Sequence, residues 1–167
     1  MSEKELVFSS KIKNSGIFSF RDFYKFCHSW LTEEANLAVL EDKYKEKLKG
    51  NSKDIEISWT CVRRITDYFM FEVKVTFIVD GLTDVEVQKG EARIKTNKGT
   101  VELNVKGNLV RDYDGKFESS WIQKTTRGIY EKWVIASRIE QFEGKLASDC
   151  DEFLNQSKAW LDLEGKK

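Results

Sequence analysis

The chain has 167 residues, enough for one domain with a real core, and its 28 Lys plus Arg balance 28 Asp plus Glu. A formal net charge of zero argues against a dedicated nucleic-acid binder, whose affinity rests on excess cations, and 40% hydrophobic with 13% aromatic residues excludes a disordered composition. No apolar run approaches the ~20 residues of a membrane span, and the opening Met-Ser-Glu-Lys-Glu-Leu lacks an apolar signal core, so the expectation is a single cytoplasmic domain over 1–167.

Taken in order, Glu5 to Lys13 reads as a first strand closed by the turn signal Asn14-Ser15-Gly16. Ser19 then caps a helix whose apolar stripe is Phe20, Phe23/Tyr24, Cys27 and Trp30/Leu31. Thr32-Glu33-Glu34 restarts a second short helix carrying Leu37, Val39 and Leu40. From residue 42 the period drops to two. Tyr44, Glu46 and Leu48 alternate with lysines, which suits an edge strand, and Gly50-Asn51-Ser52 turns into Ile55, Ile57, Trp59 and Cys61.

Tyr68 to Val79 is the longest alternating run, with Phe69, Phe71, Val73, Val75, Phe77 and Val79 on one face. Asp80-Gly81 signals a hairpin, Val85 and Val87 continue the alternation, and Lys89-Gly90 turns again. Ala92 and Ile94 precede another turn signal at Asn97-Lys98-Gly99, and Val101 to Leu109 forms the last strand. These short connections imply an antiparallel meander with one dry face.

Beyond Phe117 the spacing returns to 3.6. Residues 120–163 read as a long C-terminal helical segment, which unbroken would span about 66 Å. It is therefore expected to bend, to break near Gly128, Ala136-Ser137 or Gly144, or to project. The fold class is α+β: a curved antiparallel sheet of about six to seven strands wrapped on the C-terminal helix, with two short helices after strand 1.

This order of elements resembles the helix-grip fold of the START and Bet v 1-like superfamily. The likeness covers nearly the whole chain as element order. It departs from the Bet v 1 branch at the second-to-third-strand connection, Lys49-Gly-Asn-Ser-Lys53, which has one glycine, and in its longer C-terminal helical region. The resemblance implies a cavity between sheet and helix suited to an apolar ligand.

Motifs for chemistry are sparse. His28 is the only histidine, and Cys27, Cys61 and Cys150 lack CxxC spacing, so no metal or cofactor is expected and the cysteines read as buried reduced thiols. No nucleophile elbow, Walker loop or dinucleotide fingerprint is present. Asp112 and Asp114 begin like a calcium loop, but Lys116 and Phe117 break its pattern, leaving a turn.

Three sets of residues carry the functional expectations. Trp59, Phe69, Phe71, Phe77, Trp121, Trp133 and Phe142 form an aromatic set that lines a ligand cavity or fills the core. Leu146, Phe153, Leu154, Trp160 and Leu161 lie on the C-terminal stripe, available for docking a protein partner or a second copy if the helix projects. Arg93, Lys95, Lys98, Lys106 and Arg111 form a basic strand face, with Glu91 and Glu102 among them. The leading expectation is a non-enzymatic binding domain, holding an apolar small molecule between sheet and C-terminal helix or docking a protein through that helix. Two alternatives stand beside it. One is an RNA- or ribosome-associated factor using the basic face. The other is a cyclase-like enzyme using pocket acids such as Asp67 or Glu72.

Overall fold

The computed structural model describes residues 3–113 and 136–165. Strand β1 (Glu3–Phe18) leads into helix α1 (Phe20–Ser29), which runs on as a π turn over Trp30–Glu34. Strands β2 (Ala38–Lys49), β3 (Ser52–Arg64), β4 (Phe69–Lys89) and β5 (Ala92–Arg111) follow as a meander, and α2 (Ala136–Gly165) closes the described chain. The sheet is antiparallel throughout in the order β1-β5-β4-β3-β2, so the first strand returns to pair with the last. An α+β open sheet with a C-terminal helix is compatible with the helix-grip arrangement.

Period-two patterning determines which face is dry. Ile55, Ile57, Trp59 and Cys61 of β3 are buried, as are Phe69 to Val79 at odd positions on β4 and Val101, Leu103, Val105 and Leu109 on β5. Registers such as Ile57↔Phe77 and Phe77↔Leu103 place these side chains on one inner face. Both helices cover it. Phe20 and Phe23 of α1 meet Phe77 edge-on at 6.3 and 6.0 Å, and α2 lies chiefly over β1 and β5 while touching α1. Ser157, fully buried, sits opposite Cys27 with Oγ 3.8 Å from Sγ, and so small a pair lets the two helices come close.

The sheet has five strands rather than six or seven, because two turn signals lie inside strands. Asp80-Gly81 is a bulge, not a hairpin: the register shifts between Asp80 and Thr83, and Gly81 takes φ +63°. Opposite it, Asn97-Lys98-Gly99 runs straight through β5. Gly99 is there for space, since a Cβ would lie 3.1 Å from Leu82 Cα and 3.2 Å from the Asp80 carbonyl oxygen. Likewise β1 does not end at Lys13 but continues through Asn14-Ser15-Gly16, which pair with Val101, Thr100 and Gly99.

Helical expectations also change. The second short helix is absent as a separate element. Residues 30–34 continue α1 as a π turn, and Val39 and Leu40 belong to β2. Helix α2 runs unbroken through Gly144 for 30 residues, about 45 Å. Its stripe is buried from Leu146 to Leu161 rather than projecting. The part of the expected helical segment from 120 to 135 lies outside the described residues, as do Trp121, Gly128 and Trp133.

Candidate functional site

Helix α1 builds one wall of the site. Ser19 stands at its N-cap, with Oγ accepting from the Asp22 N–H at 3.3 Å. The Phe20 N–H, which has no partner within the helix, donates instead to Asn97 Oδ1 of β5 at 3.1 Å. Asn97 Nδ2 in turn donates to Asp84 Oδ1 at 2.7 Å. These contacts pin the start of α1 against the upper end of the β4–β5 hairpin.

With Phe20, Phe23 and Cys27 turned inward, Tyr24 faces the β2–β3 side. Its ring meets Trp59 edge-on at 5.0 Å, and its hydroxyl donates to Glu41 Oε1 at 2.9 Å. Burial, and then the Glu41 carboxylate that accepts its proton, raise the Tyr24 hydroxyl above its usual pKa. The indole N–H of Trp59 is buried on the same side, and the His28 ring stands edge-on to the indole at 5.8 Å.

Between α1 and the ends of β2, β3 and β4 lies an open groove of about 370 Å³, within the range of small-molecule sites. Ile55 and Leu82 form its floor, while Phe20, Tyr24 and Tyr44 form its walls. Tyr44 reaches it because its register with Ile57 puts it on the inner face. Arg21, Lys25 and Lys53 stand at the rim with Asn97. Lys53 Nζ bonds Glu46 Oε1 at 2.9 Å, and this hydrogen bond raises its pKa. Arg21 and Lys25 have no ion pair among the described residues.

The seam between sheet and α2 is different. Its enclosed space is about 10 Å³, lined by Trp30, Leu31, Phe71, Val73, Leu146 and Phe153 among others. That is about the room of a single water, and apart from Asp149 its walls are apolar. Trp59, Phe69, Phe71 and Phe77 are packed into the core, and Phe142 meets Phe69 edge-on at 5.2 Å. On α2, Leu146, Phe153, Leu154 and Leu161 are buried, and Trp160 is half-buried, stacked on Phe26 at 6.0 Å. The open groove is thus on the α1 side, above the end of this aromatic set rather than within it.

The basic residues Arg93, Lys95, Lys98, Lys106 and Arg111 all fall on β5 but not on one face. Lys98 and Lys106 share the parity of the outer face, about 26 Å apart along the strand. Arg93, Lys95 and Arg111 have the opposite parity. Arg111 pairs with Glu5 at 2.6 Å, and Arg93 approaches Glu86 at 3.9 Å. The two acids considered for an enzyme also lie apart from the groove. Glu72 holds Lys4 at 3.0 Å on the outer face, and Asp67 is exposed in the β3–β4 connection. Among the described residues no group of three His, Cys, Asp or Glu side chains could hold a metal, and no helix is long and apolar enough to cross a membrane.

Sequence reasoning named no residue of the groove's lining as a site residue, Arg21, Lys25, Tyr44 and Leu82 among them. One signal was legible: Arg21 and Lys25 are four apart on a helix and flank Tyr24, a like-charged pair with Asp22, three residues before Lys25, as its one acidic neighbour on the helix. No family model, curated protein or solved structure matches the chain.

Proposed function

We propose that this protein is a non-enzymatic binding domain that holds a small, largely apolar molecule on the inner face of its sheet. The observation that carries this reading is the groove of about 370 Å³ floored by Ile55 and Leu82 and walled by Phe20, Tyr24 and Tyr44. Two physical points favour it. Tyr44 keeps half its surface in water although it stands over apolar neighbours, where an aromatic face gains by being covered. The groove is also held open by directional contacts, Phe20 N–H to Asn97 and Tyr24 to Glu41, so it is formed before a ligand arrives. The half of the inner face under α2 is filled, which moves the proposed site away from the sheet–α2 seam.

Native mass spectrometry tests this directly. Protein purified without denaturant is expected to carry, or to take up from a panel of apolar small molecules, one molecule per chain. Tyr44→Ser is expected to weaken that binding roughly tenfold, since stripping an aromatic wall removes on the order of 1.4 kcal/mol of contact. A chain that stays free of ligand across the panel would overturn the proposal.

A further inference from the structure

We infer that the groove takes its ligand as an anion: an apolar body bearing one carboxylate, whose oxygens meet Arg21 and Lys25 while the body lies on Tyr24, Ile55 and Leu82. The inference rests on reading the groove as a ligand site and deepens it by naming the ligand's charge.

The groove is lined by three cations and no carboxylate, in a chain whose charges balance overall. The nearest acids already have partners within the lining. Glu46 binds Lys53 at 2.9 Å, and Asp84 accepts from Asn97 at 2.7 Å. Asp22, the residue after Arg21, lines a separate hollow beside the β4–β5 hairpin. Among the described residues Arg21 and Lys25 thus stand over an apolar floor without an ion pair.

Their placement works against the helix itself. Four residues apart on α1, they stand one turn above the other and repel. Arg21 also lies in the first turn, where the helix dipole disfavours a positive charge. A bound carboxylate relieves both, and the guanidinium's planar fork can offer it two parallel N–H donors. The aromatic surface beside the cations, above all the half-exposed Tyr44, favours a ligand with an apolar body over an inorganic anion.

The test uses the full chain with isoleucine and leucine methyls labelled for NMR, and the probes decanoate, its uncharged counterpart decanol, and 1-naphthoate. The expected result is that at least one carboxylate shifts the Ile55 and Leu82 methyls. It should also bind about tenfold or more tighter than decanol, the scale of a charge-assisted contact. Arg21→Gln with Lys25→Gln should abolish that advantage. The same loss of charge on the outer face, Lys13→Gln with Lys106→Gln, should leave it intact. Decanoate and naphthoate arms separate an aliphatic from an aromatic acid, and either supports the carboxylate. Decanol binding as well as both acids at the same methyls would overturn the anion while leaving the groove as a ligand site. If none of the probes moves the Ile55 and Leu82 methyls, the groove reading and the inference fall together.

Discussion

At the scale of single residues, the inner face is built from side chains whose environment settles their chemistry. Cys27, Cys61 and Cys150 are buried free thiols. Burial is the main reason their ionisation is suppressed, pushing Cys61 and Cys150 up to about 12 and Cys27 higher still. Cys150 packs where β5 has no side chain, since a Cβ on Gly107 would lie 2.9 Å from its Sγ. An unfolded thiol ionises near 8.5, so below that pH both states keep the proton and stability is flat. Above it, the unfolded chain releases protons that the fold retains, and stability falls as pH rises toward about 12. Urea midpoints from pH 8 to 10.5 should therefore decline. With Cys150→Ala the decline should be shallower by up to about 1.4 kcal/mol per pH unit, the share of one thiol. Equal slopes would mean that this thiol ionises in the fold as it does in water. The same burial predicts that a thiol reagent at pH 8 modifies the protein quickly in urea and slowly without it.

At the scale of elements, α1 decides whether a groove exists. Its start is tied to the sheet through one side chain, Asn97, which accepts from Phe20 N and donates to Asp84. Asn97→Ala should strip the helix end of that acceptor and cost about 1 kcal/mol of stability. It should also weaken ligand binding, since Phe20 and Arg21 are no longer held in place. Asn97→Asp keeps an acceptor but faces Asp84 with a second carboxylate, so its loss should shrink as pH falls through the carboxylate range. Thermal melts and titrations of both variants at pH 7 and pH 5 check this, and two variants behaving alike at both values would remove Asn97 from the account. Asn97 also shows what a sequence conceals. The alternation of Phe69 to Val79 made the central strand and its dry face legible, and Ser19 marked the helix start. Yet Asp80-Gly81 and Asn97-Lys98-Gly99 carry the chemistry of turns, and the same left-handed glycine serves a hairpin or a bulge. Only the partner strand distinguishes them: pairing continues on both sides of the shift, from Asp80↔Thr100 to Thr83↔Lys98. The groove was hidden for a related reason. Tyr44, Ile55 and Leu82 lie on three strands, and nothing local says that α2 covers β1 and β5 while leaving them open.

At the scale of the whole molecule, the order β1-β5-β4-β3-β2 puts α2 over the β1–β5 side of the sheet and leaves β2 as the opposite edge. Among the described residues β2 is paired on one side only. Its free edge runs for 12 residues with Leu40, Tyr44 and Leu48 exposed, Leu48 to 75%. Such an edge is a template for another strand unless something blocks it. Here the block is Lys43, Lys45, Lys47 and Lys49, which register with Ser58, Glu56, Asp54 and Ser52 on the outer face. Two copies pairing edge to edge would bring these lysines together. Lys43 and Lys49 are already held by Glu56 and Asp54 at 3.0 and 2.7 Å, so Lys45 and Lys47 supply the free charge. Replacing both, as Lys45→Val with Lys47→Val, leaves Glu46 as the lone charge between Tyr44 and Leu48 in a strand of high β-propensity. Sedimentation velocity across a concentration series should then show association that the parent lacks at the same concentrations. Because both lysines point away from the groove, affinity for the groove's ligand should stay as it was at dilutions where the variant is dispersed. A variant that sediments like its parent throughout would mean that the edge is protected by the twist and bulge of β2 at Glu41–Lys43 rather than by charge.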